Sequence, residues 1–264
     1  MRYAVCLSML LGSSISTLQA EPKFALFQIP GSTQIQPAKI TNFGEVTGYW
    51  RDMYGYNHGF IRSPDGTLST FDIPGSSSTV LAMENENGTI AGYFGSPGQR
   101  YQGFTRSKDG TITTFAAGKS GKATTEPVGI NDAGWIAIDE PMGVLNGTAF
   151  LRDPSGQIKK LGAFMVPTGI NATNFIVGNQ SAAFYDTGWL RDPHGTITTL
   201  DFHTLAINDS NSIVGYVEEY PALAVYRRAD GKKFMFKGPG TTGDTVALAI
   251  NNHDVNRVGR AAAA

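Results

Sequence analysis

The side chains best suited to hold a ligand in this chain are aromatic. Trp50, Tyr54, Tyr56 and Tyr101 crowd two Gly-bearing connections, Trp50 to Tyr56 and Phe94 to Tyr101. Aromatic platforms on loops of a rigid scaffold are a common way to stack on sugar rings. Tyr49 and Tyr93, close by, are read as packing between neighbouring units. Arginine offers a second chemistry. Arg62, Arg106, Arg152, Arg191 and Arg227 return at matching places along the chain, and a ring of guanidinium groups could clamp carboxylates or sulfates on an acidic polysaccharide. Their equal recurrence argues instead for a local structural role, each Arg tying its own turn through carbonyls or an adjacent Asp such as Asp153 or Asp192, with its stem laid on the sheet.

Catalytic and metal chemistry find less support. His58, His194, His203 and His253 are scattered, with no pair at metal-ligand spacing, and no Gly-x-Ser-x-Gly elbow is present. The Asp-Gly turns are too short to supply the roughly six or more oxygens that calcium takes. No metal, cofactor or catalytic residue is therefore assigned. Gly118-Lys119-Ser120-Gly121-Lys122 lacks the spacing and the following helix of a phosphate loop. Asp139, Glu140, Glu218 and Glu219 are carboxylates that could in principle act as a glycosidase pair, but sequence alone does not place two of them across a sugar. They are read as surface charge. Asn87, Asn146, Asn171 and Asn208 head glycosylation sequons that their turns already explain.

The elements that carry these residues follow from composition and period. Of 264 residues, 41% are hydrophobic and only 16% charged, and 32 are Gly, which suits a folded all-β chain of short strands and tight turns. Arg2 followed by a mostly apolar run from Tyr3 to Leu11, with Ala20 at a small-residue cleavage point, is the layout of a secretory signal peptide over residues 1–20. Its removal takes away the single cysteine, Cys6, and leaves 20 basic against 22 acidic residues. No basic surplus exists for nucleic acid, and no second apolar run is long enough for a transmembrane helix. The expected location is periplasmic or extracellular.

The repeat emerges when Asn57 to Gly75 is laid on Gln102 to Phe115, with weaker copies from Thr148, Thr187 and Leu223. A period near 40 residues with strand-turn-strand character denotes a repeat architecture. Each unit carries four β-compatible runs. The first ends in a small residue, an apolar residue and Asn, as in Val128-Gly129-Ile130-Asn131 and Leu205-Ala206-Ile207-Asn208. Between first and second runs the six units place Gly44, Gly88, Gly134, Asn174, Asn211 and Asp254, the residue types that tolerate positive φ and so close a hairpin. The third run ends in small-aromatic-apolar-Arg, followed by a Pro- or Asp-Gly-bearing turn. The fourth alternates Thr with apolar residues, as an outer strand with one wet face does.

Four antiparallel strands per unit make one propeller blade. The expected fold is an all-β, six-bladed β-propeller occupying residues 21–264. Five units are complete (about 32–75, 76–119, 120–163, 164–202 and 203–238) and one is partial (239–260). Phe27-Gln28-Ile29-Pro30-Gly31 matches Phe71-Asp72-Ile73-Pro74-Gly75, so the N-terminal strand is expected to complete a sixth blade with the C-terminal strands and remove two open sheet edges.

The Ala-x-Ile-Asn hairpin, His58-Gly59-Phe60 and Asp65-Gly66-Thr67 together resemble the HAF-repeat family of extracellular repeat proteins over roughly residues 24 to 259. Gln102, Thr148, Thr187 and Leu223 stand where the motif has His, so the His is not a structural requirement here. The resemblance implies export and a propeller-like fold, mostly in bacteria, and implies no activity. The expected function is a non-catalytic binding or interaction module for a cell-envelope glycan or another exported protein, with Trp50, Tyr54, Tyr56 and Tyr101 as ligand-binding residues. The alternatives are a polysaccharide hydrolase or lyase, and a structural envelope protein.

Overall fold

Each repeat folds into an antiparallel meander because its turns fall where the backbone can turn left. In the first-to-second hairpins Gly44, Gly88 and Gly134 carry φ of 83°, 77° and 84°, and Asn174 and Asn211 carry 64° and 62°. The third-to-fourth turns place Gly66, Gly110, Gly156, Gly195 and Gly231 at φ between 86° and 100°. Asp254 lies outside the described residues. The computed structural model describes residues 4–6, 25–96, 98–118, 124–143, 146–181, 186–238, 242–252 and 256–259. Most of the leader read at residues 1–20, the Lys-Ser-Gly-Lys stretch 119–122 and the C-terminal residues 260–264 fall outside that set.

Five four-stranded antiparallel sheets and two two-stranded ones make a six-bladed propeller. Blade 1 comprises Gln34–Ile40, Val46–Arg51, Asn57–Arg62 and Leu68–Phe71. Blade 2 comprises Ser78–Glu84, Ile90–Gly95, Gln102–Arg106 and Ile112–Phe115. Blade 3 comprises Glu126–Ile130, Ile136–Gly143, Asn146–Arg152 and Ile158–Ala163. Blade 4 comprises Met165–Ile170, Ile176–Ser181, Asp186–Arg191 and Ile197–Leu200. Blade 5 comprises His203–Ile207, Ile213–Val217, Leu223–Arg227 and Lys233–Phe236.

The sixth blade is present in two pieces. Val246–Ile250 pairs with Asn256–Gly259 beside blade 5, and Ala25–Phe27 pairs with Ala4–Cys6 beside blade 1. Phe27 and Ile29 pack on Val46 and Phe60 of blade 1, as Phe71 and Ile73 pack on Leu81, Ile90 and Phe104 of blade 2. The N-terminal strand thus holds the fourth-strand position of the blade that precedes blade 1. Among the described residues it forms no ladder with Asn256–Gly259.

The core lies between blades. Third-strand residues Phe60, Phe104, Trp189 and Val225 are buried, each facing a second-strand Gly across the ladder: Gly48, Gly92, Gly178 and Gly215. These glycines are required by close approach; a Cβ on Gly178 would stand 2.3 Å from both the Val166 carbonyl and the Trp189 ring. Every first strand carries a register shift in its middle, at Pro37/Lys39, Leu81/Met83, Pro127/Gly129, Pro167/Gly169, Thr204/Ala206 and Ala247/Ala249. Such bulges bend and twist a strand, here the strand of each blade that meets the first strands of its neighbours.

Two polar devices join the blades. Asn85, Asn131, Asn171 and Asn208 are buried at the end of the first strand. Through Oδ1 each accepts the amide four residues on, from Thr89, Trp135, Phe175 and Ser212, at 2.9–3.0 Å. Through Nδ2 each donates to the carbonyl of the equivalent Asn one blade further on: Asn85 to Asn131, Asn131 to Asn171, Asn171 to Asn208 and Asn208 to Asn251, at 2.9–3.0 Å. At the opposite end, buried Thr79, Thr125 and Thr245 accept the amides of Ile73, Ala117 and Gly238, which pins each crossover to the blade it enters. Both patterns satisfy buried backbone groups that would otherwise carry a desolvation cost.

Candidate ligand-binding face

A four-stranded meander puts its first-to-second and third-to-fourth turns at one end and its second-to-third connection and exit crossover at the other. The Asn ladder sets neighbouring blades in the same sense, so the ring has a hairpin end and a connection end. The recurrent arginines belong to the hairpin end. Arg152, Arg191 and Arg227 donate through Nη1 to the carbonyls of Asp153, Asp192 and Arg228 at 3.1–3.4 Å. Arg62, Arg106 and Arg152 also lie over the rings of Phe27, Phe71 and Phe115 at 5.5, 5.3 and 4.9 Å, each ring belonging to the fourth strand of the preceding unit. An arginine in this position closes its own turn and seals a joint between blades.

The aromatic residues named from sequence lie at the connection end, in two groups. Trp50 stacks on His58 with ring centroids 4.5 Å apart. Beside them the loop 52–56 is fixed by Asp52, whose Oδ1 accepts the amides of Tyr54 and Tyr56 at 2.8 and 2.9 Å. His58 bonds Asp72 through Nδ1 at 2.9 Å and lies 3.5 Å from Asp52 through Nε2. Burial tends to raise the Asp52 carboxyl, but the Tyr56 and Tyr54 amides and His58 hold it below its ordinary range. Tyr54 stands 75% exposed at the tip of this braced loop and Met53 equally so. Tyr101 belongs to blade 2, half-buried and edge-on to Tyr93 at 5.3 Å.

Next to Tyr93 lies a carboxyl pair made of Asp139, which the sequence pattern reads as surface charge, and Glu126, which it does not single out. Asp139 stands opposite Glu126 across the first ladder of blade 3. Asp139 is buried and its Oδ1 has no hydrogen-bond partner. Burial, then the charges of Glu126 and Glu140, push Asp139 up to about 7. Burial also raises Glu126, and burial with the neighbouring Glu126 raises the Tyr93 phenol. Asp139 occupies the second-strand place held by Tyr49, Tyr93 and Tyr216 in blades 1, 2 and 5. That departure from the repeat was the available signal.

A groove of ≈ 580 Å³ opens between blades 5 and 6, with Leu205, Tyr216, Glu218, Glu219, Tyr220, Ala222, Asp244 and Val246 around it. Nothing in the repeat announces it. Its residues come from two first strands, one second strand and the two connections that vary from unit to unit. Among the described residues no group of three or more His, Cys, Asp or Glu could hold a metal ion, and no helix is long and apolar enough to cross a membrane.

No protein-family model matches the sequence, and no curated protein does. Solved structures do match in fold. A TolB-like protein of Agrobacterium tumefaciens superposes with a TM-score of 0.58 at 11% identity, over 81% of this chain and 83% of its own. AofleA of Arthrobotrys oligospora gives 0.53 at 12% identity, over 85% and 78%. TolB of Acinetobacter baumannii gives 0.54 at 13% identity, over 78% of this chain and 58% of its own length. At such identities the likeness is one of fold: this chain is a β-propeller similar to these.

Proposed function

We propose that this protein is an exported, non-catalytic interaction module that holds a cell-envelope glycan or another exported protein on the connection end of its ring. One observation carries the reading. Met53, Tyr54, Met142, Phe164 and Tyr220 all stand strongly exposed on second-to-third connections, strand ends or crossovers of that end, spread over blades 1, 3 and 5. Strongly exposed apolar and aromatic groups gathered at one end of a rigid ring are the kind of side chain a binding surface uses. Export rests on the leader-like residues 1–20 and on the HAF-repeat resemblance of the motifs.

The test is a screen of the wild-type protein against a glycan array and against purified envelope proteins. It is followed by the triple variant Met53→Ser/Tyr54→Ser/Tyr220→Ser and by Phe43→Ser, an exposed aromatic of the hairpin end. The triple variant is expected to lose roughly 10-fold or more in affinity, and Phe43→Ser to bind as wild type. A ligand that tolerates the triple variant, or none in either screen, counts against the proposal.

A hydrolase is the second reading, favoured by the Glu126–Asp139 pair. A carboxyl pushed up to about 7 suits a general acid near neutral pH. Polysaccharide turnover abolished in Asp139→Asn would support it, and no turnover across a panel of envelope polysaccharides would remove it.

A further inference from the structure

In each of the five complete blades a third strand joins the second to the fourth. In the sixth, Asn256–Gly259 pairs with Val246–Ile250 on one side and, among the described residues, has no ladder partner on the other. Ala25–Phe27 holds the fourth place. Arg62 lies over Phe27 as Arg106 lies over Phe71. Ser32 donates its amide to Ile29 O as Ser76 does to Ile73 O, both at 3.1 Å, and Gly31 and Gly75 share a φ of 82°. A second and a fourth strand with no third between them present two open edges to one extended chain.

The residues that pair with Ala25–Phe27 come from the leader-like segment, and they keep the register of a third strand. Ala4 stands opposite Phe27, Val5 opposite Leu26 and Cys6 opposite Ala25. In blade 1 Gly59 stands opposite Phe71, Phe60 opposite Thr70 and Ile61 opposite Ser69. Blades 2, 4 and 5 repeat this, with Gly103, Gly188 and Ala224 opposite Phe115, Leu200 and Phe236. Ala4-Val5 thus stands where the repeat has a small residue followed by its buried anchor, Phe60, Phe104, Trp189 or Val225. Ala4–Cys6 also approaches Gln34–Ile40 of blade 1, as the third strand of every complete blade approaches the first strand of the next. The fourth strands, one ladder step further out, make no comparable approach.

We propose that the third-strand position of blade 6 is a strand-acceptor slot. Ala4–Cys6 fills it in the chain that carries its leader, and in the processed chain it takes an extended segment of another exported protein. The flanking strands supply main-chain hydrogen bonds, and the anchor position selects a small residue followed by a bulky apolar one. Only a polypeptide satisfies two rows of backbone donors and acceptors at once, which sets glycans aside at this site. While the leader is attached, its strand keeps other chains out. The proposal rests on the reading of residues 1–20 as a removable leader, and it names a second surface apart from the connection end.

Two experiments test it. In the full chain with its leader, Ala25→Cys is treated with oxidised glutathione. Paired Cα positions of an antiparallel ladder lie within the span of a disulfide, so Cys6 is expected to cross-link to the new thiol. Leu26→Cys, which alternates to the other face, is expected not to. No cross-link at position 25, or equal cross-linking at 26, overturns the proposal whether or not the leader is cleaved in the cell. The chain recovered from an exporting cell, its N-terminus read by mass, is then titrated calorimetrically with a peptide of residues 1–9 carrying Cys6→Ser. Binding is expected at a stoichiometry of about one, and to weaken roughly 10-fold or more when the peptide also carries Val5→Pro, which removes a ladder N–H. The leader-bearing chain is expected to bind this peptide at least about 10-fold more weakly, its slot being filled. Met53→Ser/Tyr54→Ser, on blade 1, should leave the titration unchanged, so loss of a connection-end ligand and loss of the slot are separable. A retained leader, no peptide binding, or equal binding of the Val5→Pro peptide overturns the proposal. So does self-association of the processed chain that the peptide reverses, which makes the occupant a second copy.

Discussion

At the hairpin end, Asn85, Asn131, Asn171 and Asn208 make the same pair of bonds in four successive blades. At the connection end, the loop at Asp52, the carboxyl pair at Asp139 and the groove at Asp244 have no counterparts in one another's blades. A propeller needs a common joint wherever one blade meets the next, so selection for the ring imposes repetition there. On the proposed function a ligand meets the ring from one side and touches each blade differently, which leaves the second set of loops free to diverge. Repetition marks what holds this molecule together, and departure from it marks what the molecule presents.

That contrast can be broken most severely at the ladder. Asn171→Ala removes the acceptor for Thr173 and Phe175 and the donor to Asn208 and Asn211, leaving buried groups unbonded. It should cost about 3 kcal/mol or more of unfolding free energy, measured by urea denaturation.

The hairpin end also has an exception to its own rule at Glu84. The other five blades have Ile40, Ile130, Ile170, Ile207 and Ile250 at this place. Glu84 is 3% exposed, and its Oε2 and the Oγ1 of Thr47 have no hydrogen-bond partner. Burial, the carboxylate of Glu45 against it and the charge of Glu86 push it up to about 8. Because the folded value lies above the ordinary one, the folded state holds the extra proton. The stability this proton confers is complete below about pH 4.5 and is lost as pH rises through about 8. Glu84→Ile should therefore stabilise by roughly 1–3 kcal/mol near pH 8 and flatten the fall in thermal midpoint between these limits, readable by calorimetry at several pH values.

A smaller effect is expected at the arginines. Arg152→Ala gives up the contact over Phe115 and the bond to Asp153 O, about 1 kcal/mol. Arg152→Lys, which cannot reproduce the planar stack, should recover only part of it. The smallest belongs to the connection end: Tyr54→Ala should change stability by less than about 0.5 kcal/mol while still weakening ligand binding.

The joint positions were visible in the sequence, and of the presented surface only the aromatic connections around Tyr54 and Tyr101 were. Gly44 through Asn211 betray the left-handed corners because few residue types tolerate them, and the alternation of Thr with Ile or Phe betrays the outer strands. The recurring Asn reads along the chain only as the end of a strand; that its amide reaches the carbonyl of the next unit's Asn depends on how blades stack, which no local pattern encodes. The arginines were legible as structural, but their aromatic partners sit in the preceding unit, on the far side of a joint. The Glu126–Asp139 pair and the groove had the weakest signal. Glu218, Glu219, Tyr220 and Asp244 lie on connections with no period, and within the periodic strands only the absence of Tyr at 139 hinted at where the repeat had been set aside.

The division between the two ends is tested most directly by measuring unfolding free energy and ligand affinity side by side for Asn171→Ala and for Met53→Ser/Tyr54→Ser/Tyr220→Ser. The first is expected to lose about 3 kcal/mol and, where still folded, to bind as wild type. The second should stay within about 0.5 kcal/mol of wild type and lose its ligand. Intact stability in the first, or intact binding in the second, would contradict it.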